Sequence, residues 1–278
     1  ECTHLEEIVI PSSVKKIHKN AFYKLPNLKY VFIRDTKTSI HPKAFKECPK
    51  PQIVLQRSNP EPSQSKKESV RNGINEIGND FFRGYSELEK VSISKTVNRI
   101  GDGAFQDCKK LKKISIPKNV NKISDFAFCN CKQLKNISIP KNVTKIGFGA
   151  FQNCEQLTKV TIPDSVTKID DNAFMGCTNL KKVVLSNNLK EIGKRAFSNC
   201  ISLKSVIPNT FGSIVKSLLG SFSQYTNIQI PESVYTIDDF AFSSCNRTLG
   251  NFVIPNKVKL GDNVLFQTKW EIIREQPI

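Results

Sequence analysis

Nine cysteines in 278 residues are the side chains with most chemistry to offer, and their spacing decides which chemistry. Cys108, Cys131, Cys154, Cys177 and Cys200 follow one another at a step of 23 residues, and Cys2, Cys48 and Cys245 fall in the same column. Thiols on stacked coils could pair, because strand spacing brings their Cα atoms into disulfide range. Distance alone does not exclude that. The unit Leu203–Gln224, however, puts Phe222 in the column, which neither pairing nor ligation would allow. A small, weakly polar side chain repeated because it fits one core slot accounts for all eight. Only Cys129 is off the column, and Cys129-x-Cys131 lacks the second ligand pair that tetrahedral zinc needs. The expectation is reduced, buried thiols, with no metal and no cofactor.

The remaining reactive residue types give no catalytic constellation. His4, His18 and His41 are the 3 histidines, and the latter two share a column that elsewhere holds Gly or Asp, which reads as turn chemistry. Asp170-Asp171 and Asp238-Asp239 are paired carboxylates, expected to open a helical turn and face its unpaired N–H groups. No His-Glu-x-x-His, Gly-x-Ser-x-Gly or phosphate loop occurs, so the chain does not read as an enzyme.

The element that positions all of these is a repeat. Written from its first leucine it runs L-x-x-I-x-I-P-x-x-V-x-x-I-x-x-x-A-F-x-x-C-x-x, and a fixed period in this range is the signature of a solenoid. Leu111-Lys112-Lys113-Ile114-Ser115-Ile116 shows the logic: alternate apolar residues make a short strand, and Pro117 ends it because proline has no N–H to donate. The column His18, His41, Gly78, Gly101, Ser124, Gly147, Asp170, Gly193, Asp238 and Gly261 is expected to turn a corner through positive φ. The Ala-Phe-x-x-Cys portion is expected to make a single helical or 3₁₀ turn. Phe105, Phe128, Phe151, Phe174 and Phe197 should form one buried stack. Two units deviate. The step from Ile40 to Ile77 is long, and its excess lies within Gln56–Gly73, a Ser/Pro/Lys/Glu-rich stretch with the composition of a flexible loop, after which the coil should resume at Ile74 and Ile77. The unit Leu203–Gln224 lacks the Ala-Phe-x-x-Cys text, although Phe211, Ile214, Leu218, Leu219 and Phe222 keep its apolar columns. Trp270-Glu271-Ile272-Ile273 is expected to add a last strand.

Blocks such as Ile162-Pro163-Asp164-Ser165-Val166-Thr167-Lys168-Ile169 and Asn172-Ala173-Phe174-Met175-Gly176-Cys177 closely resemble the BspA-like leucine-rich repeat, also called the Treponema pallidum type, of bacterial and protist surface proteins. The resemblance implies an α/β repeat: a right-handed leucine-rich-repeat solenoid with a parallel concave β-sheet, 23-residue repeats and about 11 coils. It implies one continuous solenoid over residues 1–278, with the flexible insertion within 56–73. It also implies a secreted or cell-surface protein acting through adhesion or protein binding, with no family-wide catalytic residues to carry over. The chain starts at Glu1 with Cys2 already in register, so its start reads as cut and any signal or anchor lies outside it. No apolar run is long enough to span a membrane.

Charge points to the candidate surface. Lys and Arg number 42 against 25 Asp and Glu, a net charge of +17. The second and third strand positions, expected to face outward on the concave sheet, hold Lys29, Lys112, Lys135, Lys181 and Lys204 and then Lys90, Lys113, Lys159 and Lys182. Tyr30 and Phe32 lie beside the N-terminal end, and exposed aromatics there would be a contact signature. These 11 side chains are the expected partner-binding face. A further column, Lys16, Arg99, Lys122, Lys145 and Lys168, reads as solvated rim. The expected partner is an acidic protein or an anionic glycan. Specific nucleic-acid reading is not expected, since no binding module is present and arginine is scarce beside lysine. The rival readings are a structural spacer and an intracellular scaffold; the oligomeric state is not legible. Three sequons, Asn136-Ile137-Ser138, Asn142-Val143-Thr144 and Asn246-Arg247-Thr248, are acceptors for N-glycosylation in a eukaryotic secretory route.

Overall fold

A computed structural model describes residues 2–57, 64–209, 226–246 and 248–274. Short strands, all paired in parallel, stack into two ladders, and a third side is made of turns. The first ladder contains Glu7–Ile10, Tyr30–Ile33 and Gln52–Leu55, then Lys67–Val70, Lys90–Ile93, Lys113–Ile114, Lys159–Thr161, Lys182–Leu185, Ser205–Pro208, Thr226–Gln229, Gly250–Ile254 and Trp270–Arg274. Asn136 bridges Lys113 to Lys159 where the strand is too short to be more than a single pair. The second ladder is built from two-residue strands: Lys16–Ile17, Ser39–Ile40, Glu76–Ile77, Arg99–Ile100, Lys122–Ile123, Lys145–Ile146, Lys168–Ile169, Glu191–Ile192, Thr236–Ile237 and Lys259–Leu260. Between the ladders each coil turns as the proline punctuation requires. Pro117, Pro140 and Pro163 lend their carbonyls to the N–H groups of Val120, Val143 and Val166, which bury the valine in the core.

The expected helical turn is absent, and among the described residues there is no α-helix. In the Ala-Phe-x-x-Cys portion alternate N–H groups donate to the next coil: Gly103 to Asp125, Phe105 to Ala127, Asp107 to Cys129. A helix would need those donors for itself, so the segment makes consecutive turns instead. Positive φ is not at the expected corner column but two residues after it, at Asp80, Gly103, Phe126, Gly149, Asn172, Arg195 and Phe240. It recurs one residue before the cysteine, at Asp107, Asn130, Asn153 and Asn199, where asparagine tolerates the left-handed region best. The corner glycines serve close approach: a Cβ on Gly78 would lie 2.5 Å from the Leu55 carbonyl oxygen.

The core is a column per side chain type. Phe82, Phe105, Phe128, Phe151, Phe174, Phe197 and Phe242 stack nearly parallel at centroid distances of 5.1, 5.5, 5.3, 5.2, 5.4 and 5.2 Å, inside the range favoured by offset rings. Phe252 and Trp270 close that end, and the expected last strand is present as Trp270–Arg274.

Two seams interrupt the regular stacking. At the first, the strand Gln52–Leu55 pairs with Tyr30–Ile33 of the first ladder on one side and with Glu76–Ile77 of the second ladder on the other. The N-terminal first ladder therefore runs on into the second ladder of the rest. The coil resumes earlier than Ile74, because Lys67–Val70, inside the stretch whose composition suggested a loop, is a strand in register with Lys90–Ile93. Residues 58–63 lie outside the described residues. The second seam concerns the unit Leu203–Gln224. It supplies Ser205–Pro208 to the first ladder, yet Glu191–Ile192 pairs directly with Thr236–Ile237 and Phe197 stacks directly on Phe242. Phe211, Ile214, Leu218, Leu219 and Phe222 lie outside the described residues.

Candidate functional site

The cysteine column is structural, and the geometry says why cysteine occupies it. From Cys48 on, the thiols of the column donate to the carbonyl of a phenylalanine in the preceding stacked coil: Cys108 to Phe82, Cys131 to Phe105, Cys154 to Phe128 and Cys177 to Phe151, all at 3.2 Å. The slot takes a small side chain with one weak donor. All nine thiols are unpaired; Cys2 is exposed, Cys48 half-buried and the rest buried. Burial pushes the Cys129 thiol up to about 11 and the Cys177 thiol up to about 12, and raises Cys131, Cys154 and Cys200 well above the ordinary thiol range. Iodoacetamide at pH 8 should therefore modify Cys2 in the native protein, Cys48 slowly, and leave Cys108 through Cys245 untouched, as read by peptide mass spectrometry. A Cys131–Cys154 bridge in the non-reduced digest would contradict this assignment.

The carboxylate pairs hold coils together. Asp171 Oδ1 accepts the Lys194 N–H at 2.8 Å and Asp239 Oδ1 the Asp262 N–H at 2.9 Å, so the donors they meet belong to the following coil and not to a helical turn. His41 Nδ1 accepts the Lys43 N–H, a turn contact as its column implied.

Ion pairing differs between the ladders. In the second ladder, four members of the column expected to be solvated rim are ion-paired: Lys145 reaches Asp170 at 2.6 Å, Lys168 reaches Glu191 at 2.6 Å and Asp170 at 3.4 Å, Lys122 reaches Asp125 at 3.7 Å, and Arg99 pairs with Glu76, while Lys16 and Lys259 have no acid partner among the described residues. In the first ladder the third strand position runs, in register, Lys67, Lys90, Lys113, Asn136, Lys159, Lys182 and Ser205. The five lysines of that row are exposed, and among the described residues none has a carboxylate partner. Like charges one rung apart, about 4.8 Å, repel one another, so this row costs stability that nothing beside it offsets. In the second position Lys135, Lys181 and Lys204 are exposed and have no acid partner among the described residues, whereas Lys112 meets Glu89 at 2.8 Å and Lys29 meets Glu6 at 2.9 Å.

Lys29, Tyr30 and Phe32 are not brought into this row. Tyr30 and Phe32 stack on each other at 5.9 Å on the N-terminal first ladder, and Phe32 leads through Val54 to Glu76 and Arg99 of the second ladder. Sequence reasoning missed Lys67 and its neighbour Lys66. The signal was present, since Lys67, Val70, Ile74 and Ile77 each stand one period before Lys90, Ile93, Val97 and Ile100.

Beside the lysine row runs a second one. The fifth strand position carries Ser69, Ser92, Ser115, Ser138 and Thr161, all exposed, before it turns to Val184 and Ile207. Around the Asn136 rung the face sinks into an open groove of about 750 Å³ lined by Asn136, Ser138, Lys159, Thr161, Asp164 and Asn209. Asp164 is engaged from the protein side by the Asn187 N–H at 2.8 Å and Asn209 Nδ2 at 3.0 Å. Among the described residues no group of three or more His, Cys, Asp or Glu is placed to hold a metal, and no helix is long and apolar enough to cross a membrane.

Comparison with known proteins agrees with this architecture. A family model for the BspA type leucine rich repeat region matches in 6 copies over residues 1–59, 62–177 and 144–272. The crystal structure of a Treponema pallidum leucine rich repeat protein is similar at 29% identity and a TM-score of 0.51, over 53% of this chain and 72% of that one. A leucine-rich repeat protein from Bacteroides ovatus aligns over 98% of this chain and 85% of that one at 22% identity, with a TM-score of 0.49. No curated protein matches by sequence.

Proposed function

The chain belongs to the BspA-type leucine-rich-repeat family, a class of repeat proteins that typically work by protein interaction and are generally non-enzymatic, and from that premise we propose that it is a secreted or cell-surface binding module whose first-ladder face takes up an acidic macromolecule. Residues 1–278 act as one solenoid in this reading. The single observation that carries it is the row itself: Lys67, Lys90, Lys113, Lys159 and Lys182 are exposed and, among the described residues, unmatched by any acid, whereas Arg99, Lys122, Lys145 and Lys168 of the second ladder each meet a carboxylate. A spacer has no use for a repulsive row of this kind. Such a row steers an anionic partner toward one face and makes binding fall with ionic strength.

The test compares two variants of equal net charge on immobilised heparin and on poly-glutamate. One carries Lys113→Glu, Lys159→Glu and Lys182→Glu. The other carries Lys95→Glu, Lys118→Glu and Lys259→Glu, exposed lysines outside the row and without acid partners. Lys122, Lys145 and Lys168 would be unsuitable controls, because reversing them also breaks ion pairs. The row variant should lose at least tenfold in affinity at physiological salt, equivalent to about 1.4 kcal/mol, and the control well under threefold. Equal loss in both would reduce the row to a generally charged surface and move the spacer reading ahead.

A further inference from the structure

Resting on that reading, we propose that the partner is a linear anionic polysaccharide lying along the solenoid axis, its sulfates or carboxylates on the lysine row and its hydroxyls and ring oxygens on the serine–threonine row. Three observations select this chemistry among polyanions.

The first is that the two rows are coextensive. Lys67, Lys90, Lys113, Asn136 and Lys159 are each followed two residues later by Ser69, Ser92, Ser115, Ser138 and Thr161, so every one of these rungs presents a cation or amide and a hydroxyl on the same side of the strand. Among the described residues these five hydroxyls make no hydrogen bond to the protein and are exposed, so they are available to a ligand. An acidic peptide needs cations and backbone partners; it has little use for a row of free hydroxyls. A sugar chain, which carries a donor–acceptor hydroxyl on most ring carbons, is matched by them.

The second is spacing. Rungs repeat at about 4.8 Å, whereas an extended peptide laid along the axis shows same-side groups only every two residues, at roughly 6.6 Å, and falls out of step after a few rungs.

The third is what the face lacks. Single-stranded nucleic acid is held by aromatic side chains on which bases stack. No aromatic occurs in either row, and exposed Tyr30 and half-buried Phe32 sit on the N-terminal part of the first ladder, which continues into the second ladder and not into these rows. At the Asn136 rung the lysine row gives way to an amide above the groove that Ser138, Thr161 and Asn209 line together with Lys159 and Asp164, a polar station where the hydroxyls of a sugar ring can settle.

The experiment separates this inference from the reading beneath it. Ser92→Ala, Ser115→Ala, Ser138→Ala and Thr161→Val, combined in one protein, leave charge unchanged and remove exposed hydroxyls only, so folding should be retained; circular dichroism and melting check that. Affinity is measured for heparin, fully desulfated and N-acetylated heparin, poly-glutamate and oligo-thymidylate. The hydroxyl variant should lose roughly tenfold for heparin, several hydrogen bonds' worth, and less than twofold for poly-glutamate. Defined heparin oligosaccharides should gain affinity with length until they span the rungs from Lys67 to Lys182, then level off. Comparable loss for both polymers, or no loss for either, would overturn the glycan assignment while leaving a charge-selective face intact. Tighter binding of oligo-thymidylate than of heparin would overturn it in favour of nucleic acid. If reversal of Lys113, Lys159 and Lys182 changes nothing beyond its control, the face itself is lost and this inference with it.

Discussion

Replacing Phe151 by Ala should destabilise the solenoid by about 3–5 kcal/mol, the range for deleting a large buried ring. The ring has no exposure and is held between Phe128 at 5.3 Å and Phe174 at 5.2 Å, so its loss opens a cavity and ends two stacking contacts at once. The cost is raised by position. In a linear array each coil is stabilised by its two neighbours, and a weak coil in the middle uncouples everything on either side. Urea denaturation followed by far-ultraviolet circular dichroism should show a lower midpoint and a broader transition. A loss below about 1 kcal/mol would mean that the phenylalanine column is not the core.

Leu55→Ala should cost about 2–5 kcal/mol for a comparable reason, and its pattern of failure should differ. Leu55 is fully buried on the strand that, among the described residues, belongs to both ladders: Ile33 lies opposite it in register on one side, and on the other its carbonyl accepts the Gly78 N–H at 2.7 Å. Among the described residues, Thr36 Oγ1 to Glu68 at 2.8 Å and Ile40 against Gly73 also tie the first coils to the rest. Loosening this strand should therefore release residues 7–40 as a unit. Hydrogen exchange is expected to lose protection over Tyr30–Ile33 and Ser39–Ile40 while Arg99–Ile192 keeps it. Uniform loss across the chain would show that the seam is no weaker than any other coil.

The columns were legible because each is written many times over: the phenylalanine stack, the thiol slot and the outward lysines all follow from side-chain period alone. What failed was whatever depends on the neighbour coil. Ala-Phe-x-x-Cys looked helical by length, and it is not, because Gly103, Phe105 and Asp107 give their N–H groups across the coil interface, a demand the local sequence does not display. The ion pairing of the rim lysines was not visible because an acid can stand a full coil away, as Glu191 does from Lys168. The strand Lys67–Val70 was hidden by a polar, charged composition in which only Val70 enters the core. The first seam escaped because exchanging one ladder for another leaves every period intact on either side of it. On the candidate face, the third-position row could be read off the text; its isolation from Tyr30 and Phe32 could not, since that is a property of the seam.

The hydrogen-bonded thiols have a consequence for how this molecule can be watched. A buried cysteine regains its ordinary acidity, near about 8.5, once its coil lifts away from the previous one, and only then is it a competent nucleophile. Labelling at each position should then proceed at the rate, or in proportion to the equilibrium, with which that one coil opens. Cys108, Cys131, Cys154, Cys177, Cys200 and Cys245 thus form an intrinsic series of opening reporters spread along the array, one to a coil, needing no engineered probe. A ligand that clamps the face would slow the reporters beneath it and leave the others alone, so the footprint of whatever binds is written into the reactivity of residues that never touch it.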